Sequence, residues 1–113
     1  MNKVKVLVKL PGEYPEVGEI EPTYDAVRDM VGGWLEVIPC TPQTDRGIIY
    51  YCDEEGKLID LAPNIALDGE YGRVFDIIVG PILVVKYDKD DCMTSLSKDE
   101  IAFHKNWLDV RSM

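Results

Sequence analysis

Histidine occurs once, at position 104, and cysteine three times, at 40, 52 and 92. These residue types most often do acid–base or nucleophilic chemistry near neutral pH. Their surroundings do not favour it here. An acid–base enzyme places a histidine or perturbed carboxylates in a cleft, whereas His104 falls on a helical stretch facing the same way as Ile101 and Leu108 and reads as a packing residue. A pair between His104 and a cysteine stays open, but no cysteine lies in a nucleophile-activating motif. The G-x-S-x-G elbow of a serine hydrolase is missing. No two cysteines stand at C-x-x-C spacing, and their odd number argues against a disulfide framework or zinc cluster and fits a reducing cytosol.

Asp88-Lys89-Asp90-Asp91 begins like a calcium loop and then fails. Cys92 stands where an oxygen ligand is needed and Met93 where the turn requires glycine. Asp53-Glu54-Glu55 reads as a solvated hairpin tip, so no metal or cofactor is expected. Gly32-Gly33 follows a helix instead of preceding one, which makes it a helix stop and not a phosphate cradle.

Five residues remain as a candidate ligand site. Tyr50 and Tyr51 are adjacent on one strand, so one points inward and the other outward, where it can stack on a planar ligand. Arg46 stands at the mouth of that strand, where a guanidinium can grip a phosphate or carboxylate. Asn64, after Pro63, can read hydrogen bonds or close an Asx turn. Arg73 can add a second cation.

The elements that must position these residues follow from periodicity and punctuation. Val4, Val6, Val8 and Leu10 alternate with Lys3, Lys5, Leu7 and Lys9, a half-buried strand with its lysines mostly on the wet face. Pro11-Gly12 ends it, and Glu16 to Glu21 pairs back. Thr23 caps a helix that Gly32-Gly33 stops. Strands are expected at Trp34 to Ile38 and Gly47 to Asp53, with Lys57 to Ile59 as a hairpin arm and Asp60 to Gly72 as an irregular loop. Arg73 to Val79 and Ile82 to Tyr87 are strands joined at Gly80-Pro81. Ser97-x-x-Glu100 is a capping box, opening a last helix with Ile101, Phe103, His104, Trp107, Leu108 and Val110 inward. Residues 1–113 therefore read as a single α+β domain: a mainly antiparallel sheet with two helices on one face. The opening strand-strand-helix order also permits a grasp-like sheet.

The chain has 113 residues, 46% apolar and 29% charged, in the globular range. A net charge of −9 repels phosphate backbones and anionic lipid, which disfavours direct nucleic-acid or membrane binding. No apolar run approaches the roughly 20 residues of a membrane span, and the start lacks a signal-peptide pattern.

The succession VGGWLEVIP (Val31 to Pro39), DEEGKL (Asp53 to Leu58), APN (Ala62 to Asn64), FDIIVG (Phe75 to Gly80) and TSLSKDEI (Thr94 to Ile101) resembles the short proteins catalogued as domain of unknown function three-eight-four-six. The resemblance covers roughly Val4 to Trp107. It implies a phage or mobile-element accessory protein acting in host cytoplasm, and no reaction. An arginine often follows the asparagine in that family; Ile65 stands there in this chain.

Two functional expectations result. The first is a non-catalytic counter-defence protein that sequesters a small nucleotide-like ligand, its site built from Arg46, Tyr50 or Tyr51, Asn64 and Arg73, with a homo-oligomer able to bury the ligand more fully. The alternative is an acidic inhibitor or nucleic-acid mimic that binds a basic host defence protein.

Overall fold

The computed structural model describes residues 2–69 and 72–113. Strand β1 (Val4–Lys9) turns at Pro11-Gly12 and pairs antiparallel with β2 (Glu16–Ile20), Val4 opposite Ile20. Helix α1 (Tyr24–Val31) follows. The Thr23 hydroxyl accepts the Ala26 N–H at 3.1 Å, satisfying a first-turn donor. Gly32 ends the helix at φ 91°, a left-handed conformation glycine adopts without strain. Then come β3 (Leu35–Val37), a one-turn 3-10 helix (Thr44–Arg46), β4 (Ile48–Asp53), β5 (Pro63–Asp68), β6 (Val74–Val79), β7 (Ile82–Tyr87), β8 (Met93–Thr94) and α2 (Lys98–Arg111). The Ser97 capping box forms at both of its hydrogen bonds.

The main sheet runs β2-β1-β7-β4-β3, with β8 on the end of β7 and every pairing antiparallel. β5 and β6 form a separate two-stranded sheet. The architecture is α+β with antiparallel sheets, and α1 packs across one face of the main sheet; the grasp-like alternative finds no support, because β1 pairs antiparallel with β7.

The two helices occupy opposite faces of the main sheet, not one face as the sequence suggests. Val27 and Val31 of α1 pack with Val4, Val6, Ile20, Leu83 and Val85. Leu108 of α2 and the β5–β6 hairpin pack with Leu7, Ile48, Tyr50, Ile82 and Val84. The central strands dictate this. All of Ile82 to Val85 is buried, and a strand apolar on both sides needs cover on both.

The same double burial overturns four local expectations. Lys9 is not on a wet face; it is fully buried on the α2 side of β1. Asp60 to Gly72 is not an irregular loop, because β5 runs through it; residues 70–71 lie outside the described residues. Pro63 opens that strand, where a missing N–H does no harm. Lys57 to Ile59 lies in a run of turns. β6 and β7 are joined at Gly80-Pro81 as expected, but they belong to different sheets. Gly80, at φ 75°, swings the chain from one sheet to the other, since β7 gains more burial between β1 and β4. On α2, Phe103 and Val110 are exposed, while His104 and Leu108 are buried.

Candidate functional site

A groove of about 530 Å³ lies between α1 and the far end of β7. Pro22, Tyr24 and Val27 form one wall, and Leu35 of β3 contributes from below. Tyr87, Asp91, Cys92 and Met93 form the other. The second wall is held by a tight turn. The Asp88 N–H donates to the Cys92 carbonyl at 2.8 Å. The Asp88 carboxylate accepts the Asp90 and Cys92 N–H groups at 2.9 and 3.0 Å. That carboxylate thus builds the turn. Among the described residues no cluster of His, Cys, Asp or Glu is arranged to hold a metal ion.

Tyr87 ends β7, with its hydroxyl 3.0 Å from that of Tyr51. Burial and then the Tyr51 hydroxyl push the Tyr87 phenol well above its ordinary pKa, so it stays neutral. Gly47 fixes the back of this wall. The Tyr87 N–H donates to the Gly47 carbonyl at 2.8 Å. A side chain on Gly47 would collide with the Tyr87 carbonyl, and its φ is 81°.

The five residues singled out by type do not converge. Tyr50 points into the α2 core and is fully buried. Its hydroxyl is 2.6 Å from His104 Nδ1, and His104 Nε2 is 2.9 Å from Gln43 Oε1. An amide oxygen only accepts, so Nε2 carries the proton and Nδ1 accepts from Tyr50. Burial, opposed weakly by Glu100, lowers the His104 pKa to about 4. Both ring nitrogens are therefore engaged in a neutral buried chain.

Asn64 is buried as well, and its amide is a tie. Oδ1 accepts from Lys9 Nζ at 2.8 Å, and Nδ2 donates to the Lys9 and Gly80 carbonyls, each at 2.7 Å. Lys9 Nζ also donates to the Leu10 carbonyl at 3.0 Å. Burial lowers the Lys9 pKa, with Asp109 and Glu13 opposing. Arg46 and Arg73 are exposed, and neither lines the groove. Only Tyr51 approaches it, through the Tyr87 hydroxyl. Ile65 lies in the core.

Tyr24, Tyr87 and Met93 escaped the sequence reading because they come from three elements. The one local signal was an aromatic residue at a helix start. Tyr24 is 56% exposed despite its helical spacing with Val27.

A second, smaller cleft of about 160 Å³ lies where β3, β4 and β6 meet. Glu36, Asp53, Glu54 and Asp76 line it with a single cation, Lys57, which pairs with Asp76 at 2.5 Å. Burial, and then Glu36, Asp53 and Asp76, raise the Cys52 thiol there to about 12, which keeps it protonated. Among the described residues no helix is long and apolar enough to cross a membrane.

No curated protein and no solved structure matches the chain. A family model does, over residues 4–109. That span takes in both cores, the groove and the acidic cleft, and the chain belongs to the family described as Domain of unknown function (DUF3846).

Proposed function

We propose that the protein works by occupancy and not by catalysis. It is a phage or mobile-element accessory protein in host cytoplasm that seats a small, ring-bearing, nucleotide-like ligand and withholds it from host defence. The groove between α1 and the β7–β8 turn supports this reading. Its volume of about 530 Å³ falls in the roughly 300–1,000 Å³ range of small-molecule sites. Tyr24, Tyr87, Val27, Leu35 and Met93 offer apolar and aromatic surface for a flat ring. No lysine or arginine lines it, so the ring is the part held and any phosphate stays in solvent.

The test is a thermal-shift screen against nucleosides and against cyclic and linear nucleotides, combined with thiol alkylation. A ligand at about 100 times its dissociation constant adds roughly 2.7 kcal/mol. Cys92 lines the groove and is exposed, Cys52 is buried, and Cys40→Ser removes the other exposed thiol. A shift accompanied by slowed Cys92 alkylation supports the reading. A shift with unchanged alkylation moves the ligand elsewhere, and no shift with any ligand sinks it.

The acidic cleft supports a second reading, an inhibitor or nucleic-acid mimic of a basic host protein. Four carboxylates against one lysine favour a cationic side chain from a partner. A host protein captured at low salt and lost at high salt would favour it.

A further inference from the structure

We infer that the groove selects a ring carrying positive charge, an alkylated or protonated heterocycle, over the same ring neutral or phosphorylated. The inference rests on the ring-binding reading above. The walls combine two tyrosines and a methionine with one carboxylate, Asp91. Aromatic faces attract cations through their negative quadrupole, and the adjacent carboxylate adds a direct Coulomb attraction. Both segments at the mouth carry more acid. Glu21 precedes Pro22, and Asp88 and Asp90 precede Asp91.

The cations of these segments do little to offset this. Arg28 stacks on the Trp34 ring at 3.6 Å. Lys86 is bound to Glu100 of α2 at 3.0 Å. Lys89, at the turn tip, has no ion pair among the described residues and does not line the groove. The chain as a whole carries −9. A concave wall of one sign concentrates ligands of the other, and the same field repels a phosphate. The fit for a cation thus comes from wall chemistry and far field together.

The experiment compares adenosine (neutral), 1-methyladenosine (a cation at pH 7) and adenosine monophosphate (a dianion). Binding to the full chain is read by calorimetry and by the Met93 methyl resonance. The expected order is 1-methyladenosine about tenfold tighter than adenosine, as a cation–π contact with a carboxylate beside it supplies, and the monophosphate weakest. Salt should shrink the advantage. Asp91→Asn should reduce it to threefold or less. Asn suits the site because Asp91 has φ 59°, a region Asn tolerates. A monophosphate as tight as adenosine overturns the inference, as does a 1-methyladenosine advantage that is absent or indifferent to salt. Either result leaves ring binding standing. No Met93 shift with any of the three overturns both.

Discussion

Acidification should weaken the fold through His104 well before the carboxylates titrate. The chain holds one histidine, so a single imidazole resonance reports it without assignment. Its pKa moves from 6.5 in the unfolded chain to about 4 in the folded one, chiefly by burial. The unfolded state therefore binds the extra proton between those values, and stability falls as pH falls through that window. The loss is about 2 kcal/mol by pH 5 and about 3 kcal/mol by pH 4. Asp76 and Glu100 do not blur the upper part. Asp76 is held down mainly by Lys57. Glu100 is pushed up by burial but pulled further down by Ser97 and Lys86. Both lose their contributions only as pH drops below the ordinary carboxylate range. Urea unfolding at half-unit steps from pH 7.5 to 5 measures the slope. His104→Gln should start less stable and be nearly flat across the same window. A wild-type curve flat between pH 6.5 and 5, or an imidazole midpoint near 6.5, would refute the buried, neutral assignment.

Asn64→Ala should cost about 3 kcal/mol or more, because it strands a buried ammonium and two carbonyls; denaturant midpoints check this. Gly47→Ala should be similarly severe, since the new methyl meets the Tyr87 carbonyl and the residue must hold φ 81°. That variant should also alter Cys92 alkylation if Gly47 sets the groove wall. Arg46→Ala and Arg73→Ala should each change stability by no more than about 0.5 kcal/mol, both being exposed. Calorimetry should find their groove affinity at the wild-type value.

Features set by neighbouring residues were legible from the sequence. The β1–β2 hairpin, the Thr23 and Gly32 ends of α1 and the Ser97 capping box all rest on chemistry within a few positions. Sheet order rests on choices among distant strands, and there local cues misled. Pro63, Asn64 and Gly69 punctuate a stretch whose Ile65 and Leu67 are core, so turn-forming types hid a strand. Gly80-Pro81 was legible as a strand junction, but that it moves the chain between sheets was not. Alternation sends Tyr50 into the α2 core, but Tyr51 packs against the α1-side core instead of facing outward. Residue type could not tell that Tyr50 and Asn64 spend their polar atoms on buried partners, or that residues 22–35 and 87–93 meet.

The position of β7 has a bearing on how the chain is made. Among the described residues β7 is the only strand joining the β1–β2 half of the main sheet to the β4–β3 half, and it follows all four of those strands in the sequence. A growing chain can form the first hairpin and the β3–β4 pair as it emerges, but each keeps an unpaired edge until residues 82–87 have left the ribosome. Inserting that strand closes both edges at once and gives the two cores their common wall. Non-local closure of this kind is slow, and exposed edges invite pairing with other chains. The nascent protein therefore stays most exposed to aggregation until residues 82–87 emerge.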